Sequence, residues 1–498
     1  MSNKKIWTKE ERYRPYQEWD KQHLALLQQK VADSNWRLGY HIQPNTGLLN
    51  DPNGFSFFNN QWHVFYQSYP MGAVHGVKSW YHLTSDNLVD WKEEGTKIFP
   101  DGLYDSHGVY SGTALAVSDH LFLAYTGNVR DADWVRHSYQ LGAWMDGSGA
   151  VQKIEKPLLT ASPAGYTSEF RDPQVFRYED NYLMAIGAQN EAEEGKILTY
   201  QSSDLLTWQC KGELEFTDKK MGFMIECPNL LVTEDAALLI FCPQGLEKDS
   251  CFYENIYPNT YVIADSYDHE SNRLVDPTIL KNLDEGFDVY ATQAFQAPDN
   301  RLLSISWVGL PEIDYPTDQE EWAHCLSSVK ELVIKEKQLY QRPIAEMEQL
   351  RIGEAVDINQ DSSSQDSSSF VETKTNQYEL LLSFDPLSKG TLTLCTDKEQ
   401  NQGLTINFDS QHGKITIDRS QAGAVFAEEY GFVRSFTVEQ KPLDLQIFVD
   451  SSIVEIFINE GEKVVTMRIF PEADQTGIHL ACDGGYQGKL WQLRKTNQ

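Results

Sequence analysis

The run Trp62-His63-Val64-Phe65-Tyr66-Gln67 decides the fold, because close variants of it return four more times. They are Leu121-Phe122-Leu123-Ala124-Tyr125-Thr126-Gly127, Tyr182-Leu183-Met184-Ala185-Ile186-Gly187-Ala188-Gln189, Leu238-Leu239-Ile240-Phe241-Cys242-Pro243-Gln244-Gly245 and Leu302-Leu303-Ser304-Ile305-Ser306-Trp307-Val308-Gly309. β-Branched and aromatic residues bounded by Gly, Asn, Asp and Pro read as strands. A repeat at a fixed period near 60 residues is a sign of stacked units, each too small to bury its own apolar face. A second echo pairs Ser85-Asp86-Asn87-Leu88-Val89-Asp90-Trp91 with Ser203-Asp204-Leu205-Leu206-Thr207-Trp208, two periods on. Five repeats of about four strands predict a five-bladed β-propeller over residues 35–345.

Outward from this block the pattern changes twice. Residues 1–34 form an expected N-terminal helical segment, since 8–32 mix charged and apolar residues at helical spacing. Past Ile344, a briefly helical stretch runs into Asp361-Ser362-Ser363-Ser364-Gln365-Asp366-Ser367-Ser368-Ser369, which has nothing to bury. Residues 346–370 therefore read as a linker. From Val371 alternating runs return, among them Tyr378–Phe384, Gly403–Phe408 and Ser452–Asn459. About eight such strands predict an antiparallel β-sandwich over 371–498. The expected fold class is all-β: a propeller, then a sandwich, with a short N-terminal helix.

A length of 498 residues fits this division into two domains. The formal net charge of −31 argues against nucleic acid or an anionic membrane as partner. The first thirty residues hold no apolar run of signal-peptide length, and nothing in the chain approaches the roughly 20 apolar residues of a membrane span. The seven cysteines show no paired or zinc-like spacing. A reduced, cytoplasmic chain without structural metal is the expectation.

Chemistry concentrates in three short stretches. Leu48-Leu49-Asn50-Asp51-Pro52-Asn53-Gly54 by itself reads as a turn after a strand. Two more acids share its odd setting: Asp172 in Glu169-Phe170-Arg171-Asp172-Pro173 and Glu226 in Met224-Ile225-Glu226-Cys227-Pro228. Proline fixes the local backbone and removes a donor, so each acid sits where a ladder is broken. Asp51, Ser111, Asp172, Glu226 and Tyr290 follow one another at 60, 61, 54 and 64 positions, near the blade period. Equivalent positions in successive blades would bring all five to one central funnel. Three converging carboxylates repel and must be desolvated, which suits catalysis better than stability.

With these motifs on the page, the chain resembles glycoside hydrolase family 32, the invertases, fructan hydrolases and sucrose-6-phosphate hydrolases. The likeness runs from His41 to Arg351 and resumes at Val449-Asp450-Ser451-Ser452-Ile453-Val454-Glu455-Ile456-Phe457. It implies a five-bladed propeller followed by a β-sandwich. It also implies retaining hydrolysis, with Asp51 as nucleophile, Glu226 as acid/base and Asp172 holding fructose hydroxyls. Phe223, Met224 and Ile225 would give Glu226 an apolar surround that favours its protonated form, while donors such as Asn50 would keep Asp51 ionised. Further contacts implied by the resemblance are Asn50, Gln67, Trp80, Ser111, Tyr290 and Trp307. Two readings stand for Trp80, a platform for a sugar face or a buried core ring. Gln67 could equally cap a strand end, and Arg171 either touches sugar or simply pairs with an acid. Leu49, Phe223-Met224-Ile225, Ala291-Thr292-Gln293 and Ser327-Ser328-Val329-Lys330 depart from the common family wording and put the leaving-group preference in doubt, not the reaction.

His75-Gly76-Val77-Lys78, Tyr125–Arg130 and Cys242–Leu246 resemble the bacterial branch that acts on sucrose 6-phosphate. A phosphorylated leaving group needs local cations in an acidic protein. Lys78, Arg130, Arg136 and His137 are the candidates, each also readable as an ordinary surface charge. An intracellular fructan hydrolase, a transfructosylase and a non-catalytic sugar-binding propeller are the alternatives. No metal or organic cofactor is implied. The expected partner is a small carbohydrate, and a homo-oligomer is left open.

Overall fold

A computed structural model describes residues 6–361, 368–439 and 442–496. Residues 1–5 of the expected helical segment and 362–367 of the expected linker lie outside the described residues.

Five sheets of four or five strands each follow one another along residues 47–343, beside a two-stranded ribbon of Ser266–Asp268 and Arg273–Val275. Each opens with a lead strand: Gly47–Phe58, Val109–Val117, Tyr166–Tyr178, Met224–Val232 and Val289–Gln296. The run that recurs in the sequence is the second strand of every sheet, antiparallel to its lead strand. It is apolar on both faces because it is covered on both: Val64, Phe65, Leu121, Phe122, Leu123, Met184, Ile186, Leu239, Phe241 and Leu303 have no more than trace exposure.

Neighbouring lead strands are stitched by buried polar side chains. Gly112 N donates to Asn53 Oδ1 (2.9 Å), Thr113 Oγ1 to Pro173 O (3.1 Å) and Gln174 Nε2 to Leu230 O (3.2 Å). Asn229 Nδ2 donates to Thr292 O (2.9 Å), and Phe55 N to Gln293 Oε1 (2.6 Å), joining the last sheet to the first. Trp322–Ala323 also pairs, in parallel, with the start of the first lead strand. Buried amides of this kind are costly unless satisfied, so they fix the packing of one sheet on the next.

The second sequence echo proves to be a turn. Leu88 and Leu205 both adopt left-handed backbone, φ 63° and 66°. Trp91 Nε1 and Trp208 Nε1 then donate back to Leu88 O and Leu205 O, at 3.1 and 3.0 Å.

The C-terminal region is two six-stranded sheets packed on a core that includes Leu380, Leu392, Leu404, Ile406, Ile417, Ile447, Val454 and Ile456. Each such side chain contributes roughly 1.5–3 kcal/mol on burial. The expected linker needs correction. Ala345–Leu350 is a 3₁₀ turn, and Arg351–Asp357 is an edge strand paired with Tyr486–Leu493. Its side chains are mostly exposed and a register shift interrupts the pairing, so alternation never appears in its sequence. Backbone hydrogen bonds hold it instead, with the Arg351 guanidinium on Glu379 and over the Trp491 ring.

The N-terminal segment is not one helix. Lys9–Arg12 forms one turn, closed by a reciprocal Thr8–Glu11 capping box. Lys21–Ala32 forms a second helix, capped by Asp20. Pro15 separates them, as a residue without an N–H should.

Candidate active site

Each lead strand loses register with its neighbour at the site positions. The unmatched residues are Asn50–Asp51, Tyr110–Ser111, Asp172–Pro173, Cys227–Pro228 and Ala291–Thr292. Bulges re-aim side chains, and Pro52, Pro173 and Pro228 belong there because they offer no ladder donor. Asp172, Cys227 and Ala291 hold left-handed backbone at φ 68°, 47° and 48°, a conformation that costs energy without glycine.

These five bulges open on a cavity of about 210 Å³ lined by Asn50, Asp51, Gln67, Arg171, Asp172, Glu226, Tyr290 and Trp307, among others. Asp51 Oδ2 accepts from Ser111 Oγ at 2.5 Å and Gln67 Nε2 at 3.3 Å, while Oδ1 accepts from Asn50 Nδ2 at 3.0 Å. Lys78 Nζ donates to Asn50 Oδ1 at 2.5 Å. Asp172 Oδ2 accepts from Cys227 N at 3.0 Å, and the Cys227 Sγ lies 3.6 Å from it and 3.8 Å from Asp51 Oδ2. Glu226 takes the Arg171 Nε on Oε1 (2.9 Å) and the Tyr290 hydroxyl on Oε2 (2.7 Å). Arg171 also reaches Glu169, whose two oxygens are held by Arg136 Nη1 at 2.8 and 2.7 Å.

Burial raises the Asp51 carboxyl, Ser111 opposes that, and the Glu226 charge raises it further. Asn50 and Lys78 also favour its charged form, as expected of polar donors beside it. Burial, then the Glu226 charge, pushes Asp172 up to about 7. Burial brings Lys78 down to about 7 against the pull of Asp51. The surround of Glu226 also differs from expectation. Phe223 is 42% exposed, and the carboxyl meets a guanidinium and a phenol rather than apolar groups.

Of the contacts expected from sequence, Asn50, Gln67, Arg171, Tyr290, Trp307, Lys78 and Arg136 line the cavity, and Ser111 bonds Asp51 behind it. Trp80 does not line it. Its ring is fully buried against Phe65 and Tyr125, with Nε1 donating to Tyr110 O at 3.0 Å. Arg130 Nη1 donates to Trp134 O, and His137 pairs with Asp131 at the surface. Neither lines the cavity, although Arg130 is paired in register with Arg136, which does. Sequence reasoning missed Tyr13, Tyr110, Gln244 and Pro311 as lining residues. Tyr110 adjoins Ser111 in the bulge and so carried a signal; Tyr13, far away in the N-terminal segment, carried none. A larger space of about 1130 Å³ lies between Pro343–Glu348 and the C-terminal sheets. None of the converging acids reaches it, so the chemistry is assigned to the smaller cavity. Among the described residues no group of three or more His, Cys, Asp and Glu side chains is placed to hold a metal ion.

Comparison with known proteins decides the family. A family model described as the N-terminal domain of glycosyl hydrolases family 32 matches residues 41–343, and its C-terminal counterpart matches 346–494. The chain belongs to glycosyl hydrolases family 32. It is thus a glycoside hydrolase, with the propeller domain and C-terminal β-sandwich of that family. It is 47% identical to a sucrose-6-phosphate hydrolase of Pediococcus pentosaceus, over 99% of this chain and 97% of the relative. The solved sucrose-6-phosphate hydrolase of Lactobacillus gasseri superposes with a TM-score of 0.93 at 43% identity, covering 98% of this chain and all of that one. A family 32 β-fructofuranosidase of Bombyx mori gives 0.82 at 28% identity, covering 96% and 99%. Among the described residues no helix is long and apolar enough to cross a membrane.

Proposed function

We propose that this family 32 enzyme hydrolyses the β-fructofuranosidic bond of sucrose 6-phosphate by double displacement, with retention. The carrying observation is the convergence of Asp51, Asp172 and Glu226 in one cavity that also presents two cations, Lys78 and Arg136. Asp51, fixed by Ser111, Gln67 and Asn50, attacks the anomeric carbon of fructose. Glu226, which has Tyr290 and Arg171 on its two oxygens, protonates the departing glycosidic oxygen and later takes a proton from water. Asp172 binds fructose hydroxyls and steadies the positive charge that develops on the ring.

Lys78 and Arg136 are the cations offered to the phosphate. Arg136 is pre-set by Glu169, and Lys78 gains its full charge when a dianion enters beside it. Names carried by relatives at 43–47% identity over nearly the full chain support this substrate. A cytoplasmic setting follows from it, because a phosphorylated sugar is an internal metabolite.

The same reading takes the five sheets as five blades of a closed propeller. The side-chain bonds between successive lead strands and the parallel pairing of Trp322–Ala323 support closure. It divides the chain into an N-terminal segment to 34, a propeller over 35–345 and a sandwich that gains its edge strand at Arg351.

Initial rates on sucrose 6-phosphate, sucrose and kestose test the substrate, and NMR of the first fructose released tests the stereochemistry. Preference for the phosphate and release of the β-anomer are expected. Preference for kestose would move the enzyme to fructan breakdown. An inverted product would remove Asp51 as nucleophile.

A further inference from the structure

The N-terminal segment is bound across the loops of the first two sheets. On one side Arg12 Nε donates to His75 O at 2.5 Å, Val77 N donates to Arg12 O at 2.8 Å and the Tyr16 hydroxyl donates to Val77 O at 2.8 Å. Tyr69 contributes its hydroxyl to Glu11 O at 3.1 Å. The fit is close: a Cβ on Gly76 would meet Arg12 O at 2.6 Å, and one on Gly72 would meet the Trp7 ring at 2.1 Å. On the other side Lys9 Nζ sits 3.4 Å over the Trp134 ring, and Tyr13 packs edge-on against Trp134 with centroids 5.2 Å apart.

This clamp holds Tyr13 in the wall of the catalytic cavity, next to His75, Lys78, Tyr110 and Arg136. The Tyr13 ring is fixed by Trp134 and His107, yet among the described residues its hydroxyl has no hydrogen-bond partner. A ring locked by packing with its hydroxyl open at a cavity wall is the arrangement of a ligand contact. Burial, then Tyr13, raises the neighbouring Tyr110 phenol to about 12, and Arg136, Arg130 and Arg171 oppose that rise. The chain is strongly acidic overall, but Lys78 and Arg136 both line this corner of the cavity.

We propose that the segment Trp7–Trp19 forms one wall of the leaving-group end of the cavity, and that Tyr13 there donates its hydroxyl to the phosphorylated hexose as it departs. Arg12 acts at one remove, as a positioning residue for the His75–Lys78 loop. The inference rests on the assignment of a phosphorylated leaving group made above, and it adds a specificity-determining residue from outside the propeller.

The test is product inhibition and leaving-group dependence in Tyr13→Phe and Tyr13→Ala. The inhibition constant of glucose 6-phosphate should rise about tenfold in Tyr13→Phe, the loss of one hydrogen bond to a charged acceptor, and further in Tyr13→Ala. Fructose inhibition and kcat/KM on methyl β-D-fructofuranoside, which lacks the hexose phosphate, should stay within about twofold of wild type. KM for sucrose 6-phosphate should rise more than kcat falls. Unchanged glucose 6-phosphate inhibition in Tyr13→Ala would overturn the proposal. So would an equal loss on methyl β-D-fructofuranoside, which would mark Tyr13 as a merely structural support. Wild-type enzyme that is inhibited as strongly by glucose as by glucose 6-phosphate would overturn the phosphate assignment itself, before any variant is made.

Discussion

Buried acids gather in the catalytic cavity and at the junction of the two domains, and the two groups are built to opposite ends. At the junction of the propeller and the sandwich, Asp450 accepts from Gly39 N, Tyr40 N and His41 N and pairs with His41 Nδ1 at 2.9 Å. Glu455 takes His41 Nε2 at 3.0 Å, Ser328 Oγ at 2.5 Å and Lys330 Nζ at 3.2 Å. Burial opposes the charge on Glu455, but Lys330 and His41 outweigh it and bring the carboxyl down to about 2. Burial likewise opposes charge on His41, and Asp450 and Glu455 outweigh it and raise the ring to about 9. Every charge there has an opposite partner. In the catalytic cavity the balance is reversed: Asp51 and Asp172 are raised by burial and by a third acid, while Arg171 is shared by Glu226 and Glu169 and Arg136 sits on Glu169. A satisfied cluster joins two domains, and an unsatisfied one is ready to exchange protons and bonds.

The largest expected effect falls on the catalytic side. Glu226→Gln should lower kcat on sucrose 6-phosphate by about 10³-fold or more, since both the proton delivered and the proton removed are lost. Its melting temperature should stay close to wild type, because the repulsion relieved at Asp51 and Asp172 offsets the ion pair lost from Arg171. A variant that loses stability in step with activity would break the contrast.

Glu455→Gln should do the converse. Removing one partner of a buried, paired cluster costs about 3–5 kcal/mol, because Lys330 loses its carboxylate partner and His41 keeps only Asp450. Denaturant unfolding would measure the loss, and the protein that remains folded should retain its KM. A large change in KM with no loss of stability would mean that the junction serves the cavity rather than the fold.

pH separates the clusters by window. His41 is raised in the folded state, so its contribution is complete below about 6.5 and is lost as pH rises to about 9. Asp172 is also raised, so its contribution is complete below about 3.8 and is lost as pH rises through about 7. Glu455 is lowered, and its contribution disappears as pH falls from about 4.5 toward about 2. The stability gap between wild type and His41→Gln, read from urea midpoints, should therefore narrow between pH 6.5 and 9. The gain from Asp172→Asn should grow between pH 4 and 7. A His41→Gln gap that does not change with pH would show that the ring is not carrying a proton.

Legibility in the sequence followed this same division. The lead strands and their acids were readable because a period near 60 residues repeats both the apolar second strand and the proline-marked bulge beside Asp51, Asp172 and Glu226. What the period does not carry was lost. Arg351–Asp357 is held by its backbone and by Arg351 on Glu379, so no alternation announced it as a strand. Tyr13 reaches the cavity from a segment outside the repeat, across a contact with residues 75–77 that no local pattern encodes. The donors to Asp51 are visible in sequence, but the depth of burial that opposes them is not.

Trp80 supplies a third kind of buried environment and the smallest effect. Its ring lies among Phe65, Tyr125 and other core side chains, and its single polar atom is satisfied by Tyr110 O. It belongs with the satisfied cluster in kind, although it carries no charge. Trp80→Phe should lose one hydrogen bond and part of a filled volume, a cost of roughly 1–3 kcal/mol. KM for sucrose 6-phosphate should stay within about twofold, because the ring stands behind the cavity wall and not on it. Tyr110, which does line the cavity, is the one route by which the change could reach substrate. A rise in KM shared by Trp80→Phe and absent from other core variants of equal stability cost would therefore mean that the Trp80–Tyr110 bond positions the wall. A rise in KM without any loss of stability would return Trp80 to the sugar and remove it from the core.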